Sequence, residues 1–239
     1  QATIADLEAV GGSLVVEGGP TATAVVTDSV KIEPAVRRRH YAAMMKALDD
    51  GVARVLSALE SSGRDNVVVI FTADNGPDEP VSNAGSSGRW KGGKHGLAEG
   101  GTRVPSILRW PGVVPAGSST DQLGGLIDLH PTFLRLAGHN GDLPRFDGVD
   151  LLPAWRDGGE IDRHLAFRHG GRRSIRLGDW KWMDGRLFDL ARDPGEKTDL
   201  ASANPEIAAD LAALSRLADQ PMSEPRGVSE IPDQGGNSR

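Results

Sequence analysis

The sequence has 239 residues, of which 38% are hydrophobic and 25% are charged, and its formal net charge is −6. This length predicts one large domain, or one domain with a small appendage. The acidic balance argues against non-specific binding to nucleic acid, and no apolar run approaches the roughly 20 residues of a membrane span. Because cysteine is absent, disulfides, thiolate metal sites and a cysteine nucleophile are excluded. The chain begins with Gln1, so we expect a processed or truncated piece of a longer protein. The sequence does not determine its cellular compartment or its oligomeric state.

A long amphipathic helix is the first strong pattern along the chain. From Pro34 onward, apolar residues recur at steps of three and four, as on one face of a helix. Pro34 suits the first turn and Gly63 suits the end. Before this helix we expect only two short strands, at 13–17 and 24–26. The apolar positions of the helix are Tyr41, Met44, Met45, Leu48, Val52, Val55, Leu56 and Leu59.

A polar pair follows the next element. The β-branched, uncharged run at 67–73 predicts a fully buried strand, which Asp74-Asn75-Gly76 ends. In open α/β sheets, ligands collect just beyond the carboxyl ends of the strands. The side chains of Asp74 and Asn75 offer two hard oxygen donors, the kind that Ca²⁺ or Mg²⁺ selects. The alternative is a plain turn, since Asn-Gly and Asp-x-Gly are common turn formers.

A glycine-rich, basic loop at 76–105 is the second candidate for chemistry. Its glycines let the backbone approach a ligand closely, and the ammonium of Lys94 suits a tetrahedral oxyanion. His95 follows directly. Metal donors beside cationic residues are the arrangement that cleaves a phosphate or sulfate ester. A solvated loop is the alternative for the lysines, whereas Glu99 and Arg103 are predicted to form a structural ion pair.

The remaining elements predict a layered α/β domain followed by a small antiparallel sheet. Asp184-Gly185 is a hairpin turn of the kind that joins two strands directly. His169 lies either against substrate or in a surface turn, and its position favours the turn. The predicted strands are 106–110, 165–168, 174–177, 180–183 and 186–190. The predicted helices are 126–137 and 205–217, and the regular part of the first helix is expected to begin near His130. A disordered tail is predicted after the last helix.

Several of these motifs together resemble the sulfatase family of the alkaline phosphatase superfamily. The central ones are Phe71-Thr72-Ala73-Asp74-Asn75-Gly76, Lys91-Gly92-Gly93-Lys94 and Glu99-Gly100-Gly101-Thr102-Arg103-Val104-Pro105. Flanking matches include Asp128-Leu129-His130-Pro131-Thr132, Asp147-Gly148-Val149-Asp150-Leu151, Gly178-Asp179-Trp180-Lys181, Leu187-Phe188-Asp189-Leu190 and Asp193-Pro194-Gly195-Glu196. The similarity covers roughly residues 37–217.

The resemblance implies a sulfuric ester hydrolase that uses Ca²⁺ and a formylglycine nucleophile. It implies a layered sulfatase-like α/β sheet with flanking helices, plus a small C-terminal antiparallel sheet and helix. By position, Asp74 and Asn75 would be calcium ligands, Lys94 a catalytic and substrate-binding residue, and His95 a substrate-binding residue. The expected substrate is a sulfated small molecule or a sulfated sugar.

The sequence also departs from the family pattern. It has neither the cysteine nor the Ser-x-Pro-x-Arg motif from which formylglycine is made, and no paired aspartates near its start. We therefore expect the C-terminal portion of a sulfatase, incomplete and inactive by itself. The expected organisation is an unassigned segment 1–33, the C-terminal part of the catalytic domain at 34–145, a small α+β subdomain at 146–218, and a disordered tail at 219–239.

Two other functions remain open from the sequence. One is a phosphomonoester, phosphodiester or phosphonate hydrolase of the same superfamily, because these enzymes share a metal-bound oxyanion. The other is a catalytically inactive sulfatase-like module that binds metal or a sulfated sugar. The nucleophile would separate the two hydrolase classes, and turnover would separate both from the binding module.

Overall fold

The computed structural model describes residues 14–17, 23–26, 34–78, 85–142 and 146–217. These residues belong to two compact units: one holds the described residues up to Asp65 together with 78 and 85–86, and the other holds 66–77 and the described residues from 87 onward. The predicted tail at 219–239, and most of 1–33, lie outside the described residues. Within the described part, no helix is both long and apolar enough to cross a membrane.

The first unit contains a strand pair and the predicted long helix. Strands β1 (Leu14–Glu17) and β2 (Thr23–Val26) pair antiparallel, close to the positions that the sequence predicts. Helix α1 (Pro34–Ser61) begins at the predicted proline. It ends just before Gly63, which has a left-handed φ of 65°, a conformation that favours glycine after a helix. Three of its apolar side chains, Met44, Leu48 and Val55, are at least half exposed.

The second unit begins with a two-stranded antiparallel sheet. Strand β3 (Val69–Thr72) pairs with β4 (Ser106–Arg109), and Phe71 lies opposite Ile107. The prediction of a fully buried strand over 67–73 is wrong: β3 is shorter, Phe71 is 40% exposed and Ile107 is 60% exposed. Among the described residues β3 and β4 pair only with each other, and so narrow a sheet leaves one of its faces open.

A short helix, α2 (Glu99–Thr102), precedes β4, and a longer helical segment follows it. A 3₁₀ turn (Leu126–Asp128) leads into helix α3 (Leu129–Leu136), one residue before the predicted start of its regular part. Pro131 is tolerated there because the first turn of a helix needs no intrahelical N–H donor. Helix α4 (Leu152–Asp157) comes next and ends at Gly158, whose φ is 66°.

Asp128 and Thr132 are structural residues that join this segment to its surroundings. Both are fully buried. Asp128 accepts hydrogen bonds from the amides of Gly125, at 2.6 Å, and Val149, at 2.9 Å, and forms an ion pair with buried Arg163. The Thr132 hydroxyl donates to the Asp128 carbonyl at 2.6 Å and accepts from the Leu151 amide at 2.9 Å. The Asp-x-x-Pro-Thr motif therefore holds two chain segments together.

The predicted small sheet is a four-stranded antiparallel meander. Its strands are β5 (His164–His169), β6 (Arg172–Leu177), β7 (Trp180–Met183) and β8 (Arg186–Asp189), paired in chain order. All four lie within about two residues of their predicted bounds. The connecting turns have two residues each, and Asp184 and Gly185 have φ values of 49° and 88°, as a tight hairpin of this class requires.

The two faces of this sheet pack against different partners. On one face, Ile175 and Leu187 form a buried cluster with Leu211 of helix α5 (Pro205–Leu217), whose bounds agree with the prediction. On the other face, Phe188 and neighbouring side chains pack against Leu97 of the glycine-rich loop. The sheet therefore holds the loop that carries Lys94 and His95.

Candidate active site

Backbone hydrogen bonds join the segment after Asp74-Asn75 to the glycine-rich loop. The Gly76 amide donates to the Gly101 carbonyl at 2.9 Å, and the Lys94 amide donates to the Pro77 carbonyl at 2.8 Å. The loop includes a short helix that the sequence did not predict, α2 (Glu99–Thr102). These bonds bring the backbone of the candidate metal ligands and that of the candidate sulfate-binding lysine into one structure.

Glycine is required where these segments cross. A Cβ atom on Gly76 would lie 1.7 Å from the Gly100 carbonyl oxygen, and one on Gly100 would lie 2.0 Å from the Gly92 carbonyl oxygen. Both distances are far inside van der Waals contact. The glycines of the loop therefore serve close backbone packing, in addition to any approach of a ligand.

A buried cluster of charged side chains fixes the base of the loop. Glu99, Lys181 and Glu196 are each at most 2% exposed. The Lys181 ammonium lies 3.0 Å from a carboxylate oxygen of Glu99 and 3.1 Å from one of Glu196. The other carboxylate oxygen of Glu99 contacts Arg103 at 2.9 Å, as predicted, and Arg176 at 3.0 Å. The cluster thus joins the loop to strands β6 and β7.

The same cluster sets the ionisation of Glu99. Burial raises the cost of charging this carboxyl, but Lys181 and Arg176 attract the charged form more strongly, so the pKa of Glu99 is held below its ordinary value. Glu99 is therefore a carboxylate at neutral pH, and three basic side chains, those of Lys181, Arg176 and Arg103, contact it directly. It is a structural anchor and not a proton donor.

Lys91 belongs to this anchor. Its ammonium donates to the Glu196 carbonyl at 3.0 Å, while the Glu196 carboxylate accepts from the Glu99 amide at 2.7 Å. Glu196 has a φ of 50°, an uncommon backbone conformation for a residue other than glycine. Of the two lysines in the Lys-Gly-Gly-Lys motif, Lys91 thus forms a hydrogen bond within the protein, and Lys94 is the candidate for binding substrate.

Lys94 and His95 are both exposed. His95 has a φ of 67°, a left-handed conformation that costs a non-glycine residue on the order of 1 kcal/mol. Its ring centroid lies 5.7 Å from that of His169, at the end of β5. The sequence favoured a surface turn for His169. Its contact with His95 could not be predicted, because the two residues are 74 positions apart in the sequence.

Asp74 and Asn75 have the donor types that suit a hard cation. One carboxylate oxygen of exposed Asp74 accepts from the Asn75 amide at 2.9 Å, and the Asn75 side-chain NH₂ donates to the Gly76 carbonyl at 2.9 Å. This arrangement leaves the second Asp74 oxygen and the Asn75 side-chain carbonyl for a ligand. Two donors fill only part of the roughly six to eight positions around Ca²⁺, and the described residues contain no cluster of three acidic or histidine side chains that could hold a metal.

The sulfatase family model matches residues 17–139, which is more than half of the chain. That range includes the strand before Asp74-Asn75, the glycine-rich loop and the Asp-x-x-Pro-Thr helix. The chain therefore belongs to the sulfatase family.

Individual relatives agree with this membership. N-acetylgalactosamine-6-sulfatase of Rattus norvegicus is 31% identical over 224 residues, covering 77% of this chain and 43% of that protein. Arylsulfatase A of Bos taurus is 32% identical over 207 residues, covering 71% of this chain and 41% of that protein. The crystal structure of Ps i-CgsB in complex with k-i-k-neocarrahexaose is similar with a TM-score of 0.67 and 29% identity, covering 76% of this chain and 43% of that chain.

These similarities confirm the predicted family and the predicted α/β fold class. The chain spans less than half the length of the curated relatives it matches. The site residues and the domain boundaries given above stay predictions.

Proposed function

We propose that this chain supplies the sulfate-binding lysine and part of the metal site of a sulfuric ester hydrolase. The observation that carries the proposal is the fixed geometry of the loop around Lys94. A buried ion cluster holds one end of the loop, and the bond from the Lys94 amide to Pro77 holds it against the segment after Asp74-Asn75. Lys94 is exposed on this rigid support, and its ammonium suits the non-bridging oxygens of a sulfate group.

In this proposal Asp74 and Asn75 would hold Ca²⁺ through their side-chain oxygens. A bound cation would polarise the sulfate ester and stabilise negative charge on its oxygens. This chain's own residues would bind and orient the sulfate group, with Lys94 neutralising it and His95 as a second substrate-binding residue. The formylglycine precursor is not in this sequence, so no covalent step is assigned to any residue here.

A sulfated sugar is the substrate class that we propose. The name of the rat relative, N-acetylgalactosamine-6-sulfatase, refers to a sugar, and the complex of Ps i-CgsB contains a neocarrahexaose. Both are carbohydrates. We infer that the present chain binds the same broad class of compound.

Binding, measured apart from turnover, tests this proposal. We expect the full chain to bind N-acetylgalactosamine 6-sulfate in calorimetric titration with Ca²⁺ present. Lys94→Ala should weaken binding at least about tenfold, because a charge-assisted hydrogen bond of about 1.5–3 kcal/mol is lost. Lys197→Ala is the matched control, since Lys197 is also an exposed lysine of the same unit. Equal affinity of the Lys94→Ala variant and the unaltered chain would contradict the proposal.

A further inference from the structure

The tip of the β5–β6 hairpin concentrates positive charge. Residues 168–173 read Arg-His-Gly-Gly-Arg-Arg and include no acidic residue. The strand register sets Arg168 opposite Arg173, and His169 opposite Arg172. Three of these six residues are arginines and one is a histidine, and such side chains offer hydrogen-bond donors that suit an anion.

The strand alternation decides which of these side chains point toward the glycine-rich loop. Phe167 packs against the cluster that contains Leu97, so His169, two residues further along β5, lies on the same face. Its cross-strand partner Arg172 shares that face. On β6 the same face continues with Ser174, whose hydroxyl donates to the Leu97 carbonyl at 3.5 Å. One row of side chains thus runs along the loop and ends at His169 and Arg172.

This end of the row lies beside the sulfate-binding candidates. The rings of His169 and His95 are 5.7 Å apart, and Lys94 immediately precedes His95. The left-handed φ of His95 persists only because the surrounding structure imposes it. The hairpin and the Lys94 loop therefore form adjoining parts of one exposed surface within the same unit.

Arg172 is oriented for recognition of an anion. Its Nε donates to a carboxylate oxygen of Asp184 at 2.6 Å, and the other oxygen of Asp184 accepts from the Arg173 amide at 2.9 Å. The Arg172 side chain is 52% exposed. Fixing Nε orients the planar guanidinium of this half-exposed side chain, and the Nη edge of a guanidinium can bind two oxygens at once.

We propose that His169 and Arg172 are specificity-determining residues that recognise a second anionic group of a sulfated saccharide. The first sulfate group would lie at Lys94, and the second, a sulfate on the same saccharide, would lie at the β5–β6 hairpin. The inference rests on the proposed function, because it needs Lys94 to bind sulfate. It extends that function by defining the substrate as a saccharide with at least two sulfate groups.

The test compares two probes on the full chain. Calorimetric titration with N-acetylgalactosamine 6-sulfate and with N-acetylgalactosamine 4,6-disulfate should show at least about tenfold tighter binding of the disulfate. Arg172→Gln should remove most of that preference while changing the affinity for the monosulfate less than about twofold. His169→Ala should reduce the preference in part. Arg192→Gln, which removes a charge from a 90% exposed side chain at the end of β8, should leave it unchanged.

Ionic strength provides a readout that a purely structural role of Arg172 would not change. The preference for the disulfate should shrink in the unaltered chain as salt is raised, because the extra contact is between exposed charges. In Arg172→Gln the salt dependence of the two probes should be the same.

The possible failures are distinguishable. Loss of monosulfate binding in Lys94→Ala, combined with an unchanged disulfate preference in Arg172→Gln, would overturn this inference and leave the proposed function standing. Equal weakening of both probes in Arg172→Gln would also overturn it, since that result describes a structural residue. Failure of the disulfate alone to bind the unaltered chain would overturn this inference, and failure of both probes would overturn both proposals.

Discussion

At the scale of single residues, Glu99 is the carboxylate on which three basic side chains converge. Lys181, Arg176 and Arg103 all contact it within 3.0 Å, and it is only 2% exposed. An arrangement of this kind is costly to form because each ion loses its hydration, and it is costly to break because the remaining charges stay buried. Its value here is positional, since it fixes the loop that carries Lys94.

The pH dependence of stability follows from Glu99. Its pKa is lower in the folded chain than its ordinary value, so the stabilisation is complete above the unfolded pKa of about 4.3 and is lost as pH falls through the folded value. Glu99→Gln should lower the free energy of unfolding by about 3 kcal/mol at neutral pH. The difference between the variant and the unaltered chain should shrink below pH about 4. Urea titrations at a series of pH values measure it.

An exposed glutamate provides the control for this experiment. Glu160 is exposed, and Glu160→Gln should change the free energy of unfolding by less than about 0.5 kcal/mol. A Glu99→Gln difference that is independent of pH would show that the carboxylate charge contributes nothing to the stability of the cluster.

Sequence reasoning found only the local part of this cluster. The Glu99–Arg103 pair was predicted because a folded loop of this length needs internal partners, and these two residues are only four positions apart in the sequence. Lys181 lies 82 residues from Glu99, and its alternation with Trp180 and Trp182 is typical of the polar face of a half-buried strand. Both faces of the sheet are in fact covered, one by α5 and one by the loop, which strand alternation alone does not reveal.

At the scale of elements, helices and strands were predicted most accurately where turn and helix-start residues mark their ends. Strands β5–β8 were found nearly to the residue because two-residue turns such as Asp184-Gly185 leave the chain little choice of conformation. The bounds of α1 and α5 follow from a proline start and a helical period. Helix α2 was missed because Glu99–Thr102 is a single turn with two glycines, and it exists only through its tertiary contacts.

Two glycine substitutions separate helix propensity from close packing. Gly51 lies inside α1 with nothing within 4 Å of an added Cβ, whereas a Cβ on Gly100 of α2 would lie 2.0 Å from the Gly92 carbonyl oxygen. Gly51→Ala should raise the free energy of unfolding by about 0.5–1 kcal/mol. Gly100→Ala should lower it by about 2 kcal/mol or more, because the backbone of the loop must move.

Thermal and urea unfolding of both variants measure these effects, and titration with N-acetylgalactosamine 6-sulfate measures the consequence for the loop. We expect Gly51→Ala to bind the sugar as the unaltered chain does and Gly100→Ala to bind it more weakly. Equal stability and equal affinity of the two variants would mean that the loop is not held by the close packing of Gly100 against Gly92.

At the scale of the whole molecule, the family relationship was predictable from the sequence, whereas the burial of β3 was not. The order and spacing of several motifs identified the family, which the family model then confirmed. Burial of a strand depends on what lies over it and beside it. An apolar run at 67–73 is compatible with a central strand of a wide sheet, yet the described β3 has β4 as its single neighbour.

Hydrogen exchange tests this difference between the two sheets. Along a strand, successive backbone N–H groups point alternately toward and away from a given neighbouring strand. A strand with one neighbour therefore has only about half of its amides in inter-strand hydrogen bonds. Strands β6 and β7 have neighbours on both sides. Amides of Val69–Thr72 should therefore exchange on the order of 100-fold faster, on average, than those of Arg172–Leu177. Strand β4 (Ser106–Arg109) is the internal control, because it shares the single pairing and should exchange like β3. Uniformly slow exchange across Val69–Thr72 would mean that a further strand covers the open edge of β3, and the exposed pair Phe71 and Ile107 would then belong to a wider, buried sheet.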